Sequence, residues 1–249
     1  MNVIVFDTET TSLEKPFCYN IGYDIMNTDS GLLIVRRDFV VEQIWHNLPL
    51  FSTAYYAEKR SLYVSAMKGR RATLDKWGYI MRIIARDIKD YDIKSAYAYN
   101  SPFDEKVLDY NNDWYKTINP FDTVPIYDIR GYAVRFLVDD AYKLFCEQHS
   151  YFTDTGNYST TAEVVYRYLS GNTDFIEEHT ALADSEIEST ILYECLTRGA
   201  EVATEYPVPR SIPREQIRNF SVKKDGEIVY TTECRKITIS KDKQTITLK

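Results

Sequence analysis

The chain has 249 residues, 44% of them apolar, and carries 30 Lys/Arg against 37 Asp/Glu for a formal net charge of −7. That length and apolar content suit one large globular domain, or a domain with an appendage. No stretch approaches the ~20 uninterrupted apolar residues of a membrane helix, which excludes a helical membrane protein.

The first strand candidate, at residues 2–7, holds the run Val3-Ile4-Val5-Phe6 and reads as a strand buried on both faces. It leads into Asp7-Thr8-Glu9-Thr10-Thr11-Ser12-Leu13. Side chains two apart in an extended chain share a face, so Asp7 and Glu9 project together. Like charges on a core strand are costly, and either a solvated turn or a divalent cation between them would relieve the cost. Strand-like runs at 17–26 and 31–41 flank the turn-rich Asn27-Thr28-Asp29-Ser30-Gly31 and predict three antiparallel strands.

Residues 42–71 read as helical at Gln43–Trp45 and Ala54–Arg60, broken near Pro49, with Lys68–Arg71 as an exposed basic loop. A helix is expected from Thr73 to about Lys89, where Leu74, Trp77, Ile80, Met81, Ile84 and Ile88 recur at helical spacing. A short strand at 95–100 precedes a helix with Ser101 as N-cap and Pro102 in the first helical position. An extended stretch near 121–126 leads into a helix through Ile129, Ala133 and Leu137. Further helices are expected at Asp140–Gln148, Thr160–Leu169 and about Ala181–Thr197.

After Pro207-Val208-Pro209 the pattern turns to β. Residues 220–230 alternate around Lys224-Asp225-Gly226-Glu227, and 237–239 pairs with 246–248 as a second hairpin candidate. The expected organisation is a domain over 1–204 and a β-rich appendage over 205–249. The net charge hides two basic segments. Residues 55–94 hold ten Lys/Arg against five Asp/Glu, and residues 205–249 ten against six. An acidic body with basic flanks suits an enzyme acting on a polyanion, and it also suits ordinary solvated faces. Cys18, Cys146, Cys195 and Cys234 form no CxxC and are expected to be reduced thiols in the cytoplasm. The N-terminus lacks a basic region followed by an apolar run, so no leader is expected.

Two further acids have the placement that metal chemistry needs. Asp104 lies on the first turn of its helix, where it can serve the helix dipole, yet it shares a face with Val107, Leu108 and Asn111. On the last helix, Asp184, Ile187, Glu188, Ile191, Leu192 and Cys195 form one stripe, with an acid at its head. His179 stands five residues before Asp184, and His46 and His149 have no such context. No GxSxG, Walker A, GxGxxG, HExxH or paired CxxC occurs, so nucleophilic serine or cysteine catalysis has no support. Four acids and one histidine match two-metal phosphodiester hydrolysis, with ions about 3.5–4 Å apart and the histidine as proton acceptor.

Phe6–Leu13 resembles the first motif of the DnaQ-like DEDDh 3′→5′ exonucleases, written DTETTGL. Asn100-Ser101-Pro102-Phe103-Asp104 is similar to their N-x-x-F-D motif, Phe121-Asp122-Thr123 to the pair that follows it, and His179–Asp184 to H-x-A-L-x-D. The resemblance spans roughly residues 1–200 in order and spacing. It implies an α/β, ribonuclease H-like fold with a mixed sheet flanked by helices, the first three strands antiparallel. It implies Asp7, Glu9, Asp104 and Asp184 as ligands of Mg²⁺ or Mn²⁺, and His179 as general base. Thr10, Leu13, Asn100 and Phe103 would touch the 3′-terminal nucleotide of single-stranded DNA, or of RNA as in the oligoribonuclease branch. A polymerase or a second copy is a possible partner by the same likeness, and a polymerase-accessory binding module is the non-enzymatic reading. Ser12 stands where the motif has glycine, and Tyr99 where histidine is frequent. The chain's compactness is similar to that of phage-encoded or stand-alone nucleases, which would put it in a host cytoplasm.

Overall fold

In the computed structural model, which describes residues 1–214, 217–222, 228–232, 236–239 and 246–248, the chain forms two units. The larger comprises Met1–His149 and Thr160–Pro209, the smaller Ser150–Ser159 and Arg210–Lys249. The larger unit is built on β1 (Asn2–Thr10), β2 (Cys18–Asn27) and β3 (Leu33–Val41). These pair antiparallel, as the sequence implies. β1 runs on past Phe6, so Asp7 and Glu9 sit inside the ladder, opposite Gly22 and Asn20. A β-bulge follows Glu9, and such kinks re-aim side chains at the end of a strand.

Between β3 and the next strand lie three short elements: α1 (Glu42–Trp45), α2 (Leu48–Phe51) and α3 (Arg60–Lys68). Pro49 opens α2 instead of breaking a helix, and Asn47 caps it by accepting from the Leu50 amide. The missing proline N–H costs nothing in a first turn. Residues 54–56 are not helical. A 3₁₀ turn at Ala57–Lys59 feeds α3, which continues to Lys68. This insertion packs Trp45, Phe51 and Tyr63, all buried, against Tyr19 of β2. The Arg60 guanidinium lies 3.6 Å from the Trp45 ring centre.

The helix expected from Thr73 begins later. Thr73–Asp75 forms β4, parallel to β3, and α4 spans Trp77–Asp90. Leu74 fits the helical period, but the open edge of β3 offers ladder hydrogen bonds that override the pattern. β5 (Ala96–Ala98) follows, then α5 (Ser101–Tyr115), then β6 (Ile126–Asp128). The cap of α5 is Asn100, in the left-handed region at φ 62°, not Ser101. Asn tolerates that conformation better than serine. The Ser101 hydroxyl donates instead to Glu105. The stretch near 121–126 is not extended throughout, because Pro120–Thr123 is a 3₁₀ turn that stacks Phe121 on Phe6 at 4.4 Å.

The six-stranded sheet has the order β4-β3-β2-β1-β5-β6. The remaining helices are α6 (Ile129–Phe136), α7 (Asp140–His149), α8 (Ala162–Ser170) and α9 (Ala181–Thr197). Side chains alternate across β1. Phe6 and its partner Tyr23 face α4, where the Tyr23 hydroxyl donates to Asp87 at 2.8 Å. Asp7 and its partner Gly22 face α9. A Cβ at Gly22 would lie 2.2 Å from the Leu182 backbone nitrogen, so only glycine lets α9 rest on the sheet beside Asp7.

In the smaller unit, β7 (Ile217–Val222), β8 (Ile228–Thr232), β9 (Lys236–Ile239) and β10 (Ile246–Leu248) form an antiparallel sheet in the order β10-β9-β8-β7. The turns expected at 224–227 and 241–243 lie outside the described residues, as does Cys234. This unit also takes in Ser150–Ser159, which the boundary expected at 204/205 leaves in the larger domain. The reason is backbone pairing: the Tyr158 amide donates to the Ile212 carbonyl at 3.0 Å. Among the described residues Cys18, Cys146 and Cys195 are free and buried, and no helix is long and apolar enough to cross a membrane.

Candidate active site

Ligand atoms of Glu9, His179 and Asp184 all lie within 4.8 Å of one another. Three separate local structures bring them there. Glu9 is carried by the last paired residues of β1. Its carboxylate accepts from the Tyr19 hydroxyl at 3.3 Å, which fixes its direction from the neighbouring strand. Asp184 sits in the first turn of α9, where the helix dipole favours an anion. His179 precedes the helix in a left-handed conformation, φ 52°.

The start of α9 is anchored from a distance. Thr180, at the cap position, makes no side-chain capping bond, its hydroxyl donating to Glu178. Asn20 of β2 supplies it instead, accepting from the Ala181 amide at 2.8 Å while donating to Asp38 and to the Phe39 carbonyl. One buried amide thus ties β2, β3 and the helix start together, and gives the Ala181 N–H the acceptor that a helix start otherwise lacks. Asn20 and Gly22 were not legible as site residues, since each acts on a residue 160 or more positions away.

Asp7 and Asp104 complete the acidic set. The Thr8 hydroxyl donates to Asp104 at 2.6 Å, a charge-assisted bond across 96 residues. Burial first, then the charges of Asp104, Glu188, Asp184 and Glu9, push the Asp7 carboxyl well above the usual range. Burial likewise raises Glu9 and Asp184 to about 8 and Asp104 to about 7. Acids with raised pKa values gathered around the end of β1 mark a place where a cation, or protons, must supply the missing charge.

Glu188 is a fifth acid of this group, to which the stripe on α9 assigned no role. It is 3% exposed, accepts from the Tyr99 amide at 3.1 Å, and is pushed far above the normal range by burial and by Asp104 and Asp184. The signal was present, because Glu188 lies one helical turn beyond Asp184 on the same stripe.

The residues expected at a terminal nucleotide fall as follows. Thr10 is half-buried, with its hydroxyl toward the Ser12 carbonyl at 3.4 Å. Leu13 is 73% exposed on the loop after β1, and the Lys106 ammonium donates to its carbonyl. Asn100 is exposed at the start of α5, with its amide bonded to Asp128. Phe103 is half-buried and packs against the core. At Ser12 the hydroxyl closes the loop, donating to the Lys15 carbonyl at 3.0 Å and accepting from the Lys15 amide. Ser12 is not among the positive-φ residues, so the position needs no glycine.

The insertion reaches the same place. The Tyr56 ring stacks on the His179 imidazole at 4.3 Å and 11°. The Lys59 ammonium lies 4.4 Å above the Tyr56 ring and donates to the Glu178 carbonyl at 2.6 Å. Burial, with Lys59 adding to it, lowers the His179 pKa below its ordinary value.

No protein-family model matches the chain, and no curated protein sequence does. Solved structures similar in fold include two exonucleases. One is a 3′-exonuclease in a structure of 3′-end-specific recognition of histone mRNA stem-loop, with TM-score 0.55 and 13% identity, covering 94% of this chain and 71% of that one. The other is E. coli exonuclease I in complex with a dA16 oligonucleotide, with TM-score 0.50 and 16% identity, covering 80% of this chain and 41% of that one. The fold is therefore the ribonuclease H-like one implied by the sequence motifs.

Proposed function

We propose that this chain is a divalent-metal-dependent 3′→5′ exonuclease of the DEDDh kind, releasing nucleoside monophosphates from single-stranded DNA. The observation that carries the reading is the convergence of Glu9, His179 and Asp184 within 4.8 Å, beside Asp7 and Asp104. The carboxylate oxygens of the four acids suit a hard cation, Asp7 and Glu9 being half-buried and Asp104 and Asp184 buried. Asp184 supplies a further sign, since its Oδ1 is buried with no hydrogen-bond partner in the protein. Asp7, Glu9, Asp104 and Asp184 would hold Mg²⁺ or Mn²⁺. When bound, such ions supply charge neutralisation and Lewis-acid activation of the attacking water and the leaving oxygen.

The chain's own residues account for the remaining steps. His179, kept neutral at neutral pH by its lowered pKa, accepts the proton of the attacking water on an imidazole nitrogen. Tyr19 orients Glu9, and Thr8 orients Asp104. Leu13, exposed on its loop, would offer an apolar face to the terminal nucleobase, and Thr10, Asn100 and Phe103 would be the further contacts of that nucleotide. A DNA preference accords with the oligonucleotide in the exonuclease I complex. RNA is the second reading, favoured by the fold neighbour that recognises histone mRNA and aligns with more of this chain.

Digestion of matched 5′-labelled DNA and RNA oligomers with Mg²⁺ or Mn²⁺ tests the reading. Stepwise shortening from the 3′ end, abolished by Asp7→Asn or Asp184→Asn in folded protein, supports it. Full activity in either variant overturns it.

A further inference from the structure

The general base proposed above does not rest on the catalytic fold alone. His179 lies on the segment before α9, and its left-handed backbone is one that L residues seldom adopt. Among the described residues the ring stacked on the imidazole does not come from α9. The only carboxylate paired with its Nδ1 among the described residues is Glu177, at 3.7 Å, too far for a directing hydrogen bond. The flat contact comes from Tyr56, in the insertion between β3 and β4, with nearly parallel rings 4.3 Å apart. Lys59, three residues on, grips the Glu178 carbonyl, the residue immediately before the histidine, and covers the Tyr56 ring. Two side chains of one short segment thus hold both the ring and the backbone of His179.

A proton acceptor is useful only in the rotamer that faces the attacking water, and a displacement of about 1 Å costs orders of magnitude in rate. We infer that Tyr56 is a positioning residue for His179, clamping its imidazole toward Glu9 and Asp184, so that the insertion at residues 42–71 is part of the catalytic apparatus. The inference rests on the exonuclease reading for its kinetic consequence, but the clamp itself is observable without activity.

The chain has three histidines, so the ring protons of His179 can be assigned by NMR in metal-free protein. Ring current from Tyr56 shifts them upfield; Tyr56→Phe keeps that shift and Tyr56→Leu removes it. In DNA digestion, Tyr56→Phe retains kcat within about twofold. Tyr56→Leu lowers kcat about 10- to 100-fold, with KM and Mn²⁺ affinity by calorimetry changed less than about twofold, because only proton transfer is impaired. In a His179→Ala background Tyr56→Leu causes no further loss, since it acts through the histidine. Absence of the upfield shift in wild-type protein, unchanged kcat in Tyr56→Leu, an effect confined to KM, or an equal loss in the His179→Ala background would each overturn the inference. A wild-type protein without nuclease activity, but with a His179 shift that Tyr56→Leu abolishes, would reject the exonuclease reading and leave the clamp standing.

Discussion

Replacing Asp184 with asparagine should stabilise the metal-free protein at pH 8 while destroying its response to metal. Asp184 is 7% exposed, and burial together with Glu177 and Glu9 raises its pKa from 3.8 to about 8. An acid whose pKa is higher in the folded state ionises first in the unfolded one. Below about pH 4 both states are protonated and the group is neutral to stability. As pH rises toward 8 the unfolded state gains by ionising, and the folded state pays for burying the charge or keeping the proton. At about 1.4 kcal/mol per pH unit over roughly four units the cost approaches ~6 kcal/mol, and about half of that if a neighbouring acid takes up the proton. Asparagine keeps the shape without the charge. For a chain of this size, about 3–6 kcal/mol corresponds to about 6–24 °C in Tm. Thermal melts at pH 4.5 and pH 8, with EDTA or Mn²⁺, measure it. The variant's advantage in EDTA should grow with pH, and Mn²⁺ should raise Tm in wild-type protein only. An advantage that does not depend on pH, or equal Mn²⁺ stabilisation of both proteins, would refute the reasoning.

Gly22→Ala forces the α9 backbone off the sheet, because the new Cβ would meet Leu182 N at 2.2 Å; urea unfolding should register a loss of at least about 1–3 kcal/mol, and unaltered stability would deny the close approach. Tyr19→Phe deletes the hydroxyl that orients Glu9 and should weaken Mn²⁺ binding in calorimetry by about 10-fold, with folding preserved. Glu188→Gln retains an acceptor for the Tyr99 amide while removing a buried acid, so at pH 8 it should raise the metal-free Tm, whereas Glu188→Ala should lower it by orphaning that amide.

The acids on β1 and α9 were readable because period-2 and period-3.6 patterns are local properties of the chain. Glu188 shows the limit of even that reading: its stripe was visible, but its depth in the site depends on how closely α9 approaches β1. Thr73–Asp75 misled because a three-residue strand has too few side chains to contradict the helical period that runs through Leu74. Asn100 displaced Ser101 as cap because the turn after β5 needs a left-handed residue, a demand set by the β5–α5 geometry and invisible in cap preferences. Asn20, Gly22 and Tyr56 could not be found at all from pattern. Each serves a contact made more than 120 positions away, and nothing local distinguishes their roles from ordinary core or surface positions. The insertion read as extra length, yet it carries the ring that stacks on His179.

The central claim is that the acids around Glu9 and Asp184 form a metal-dependent phosphodiesterase site. A 5′-labelled single-stranded DNA oligomer incubated with Mn²⁺ tests it most directly. Wild-type protein should produce a ladder shortened one nucleotide at a time from the 3′ end, EDTA should stop it, and folded Asp7→Asn protein should leave the oligomer intact. Shortening that continues in EDTA or in Asp7→Asn, or an oligomer untouched by wild-type protein with Mn²⁺, would contradict it.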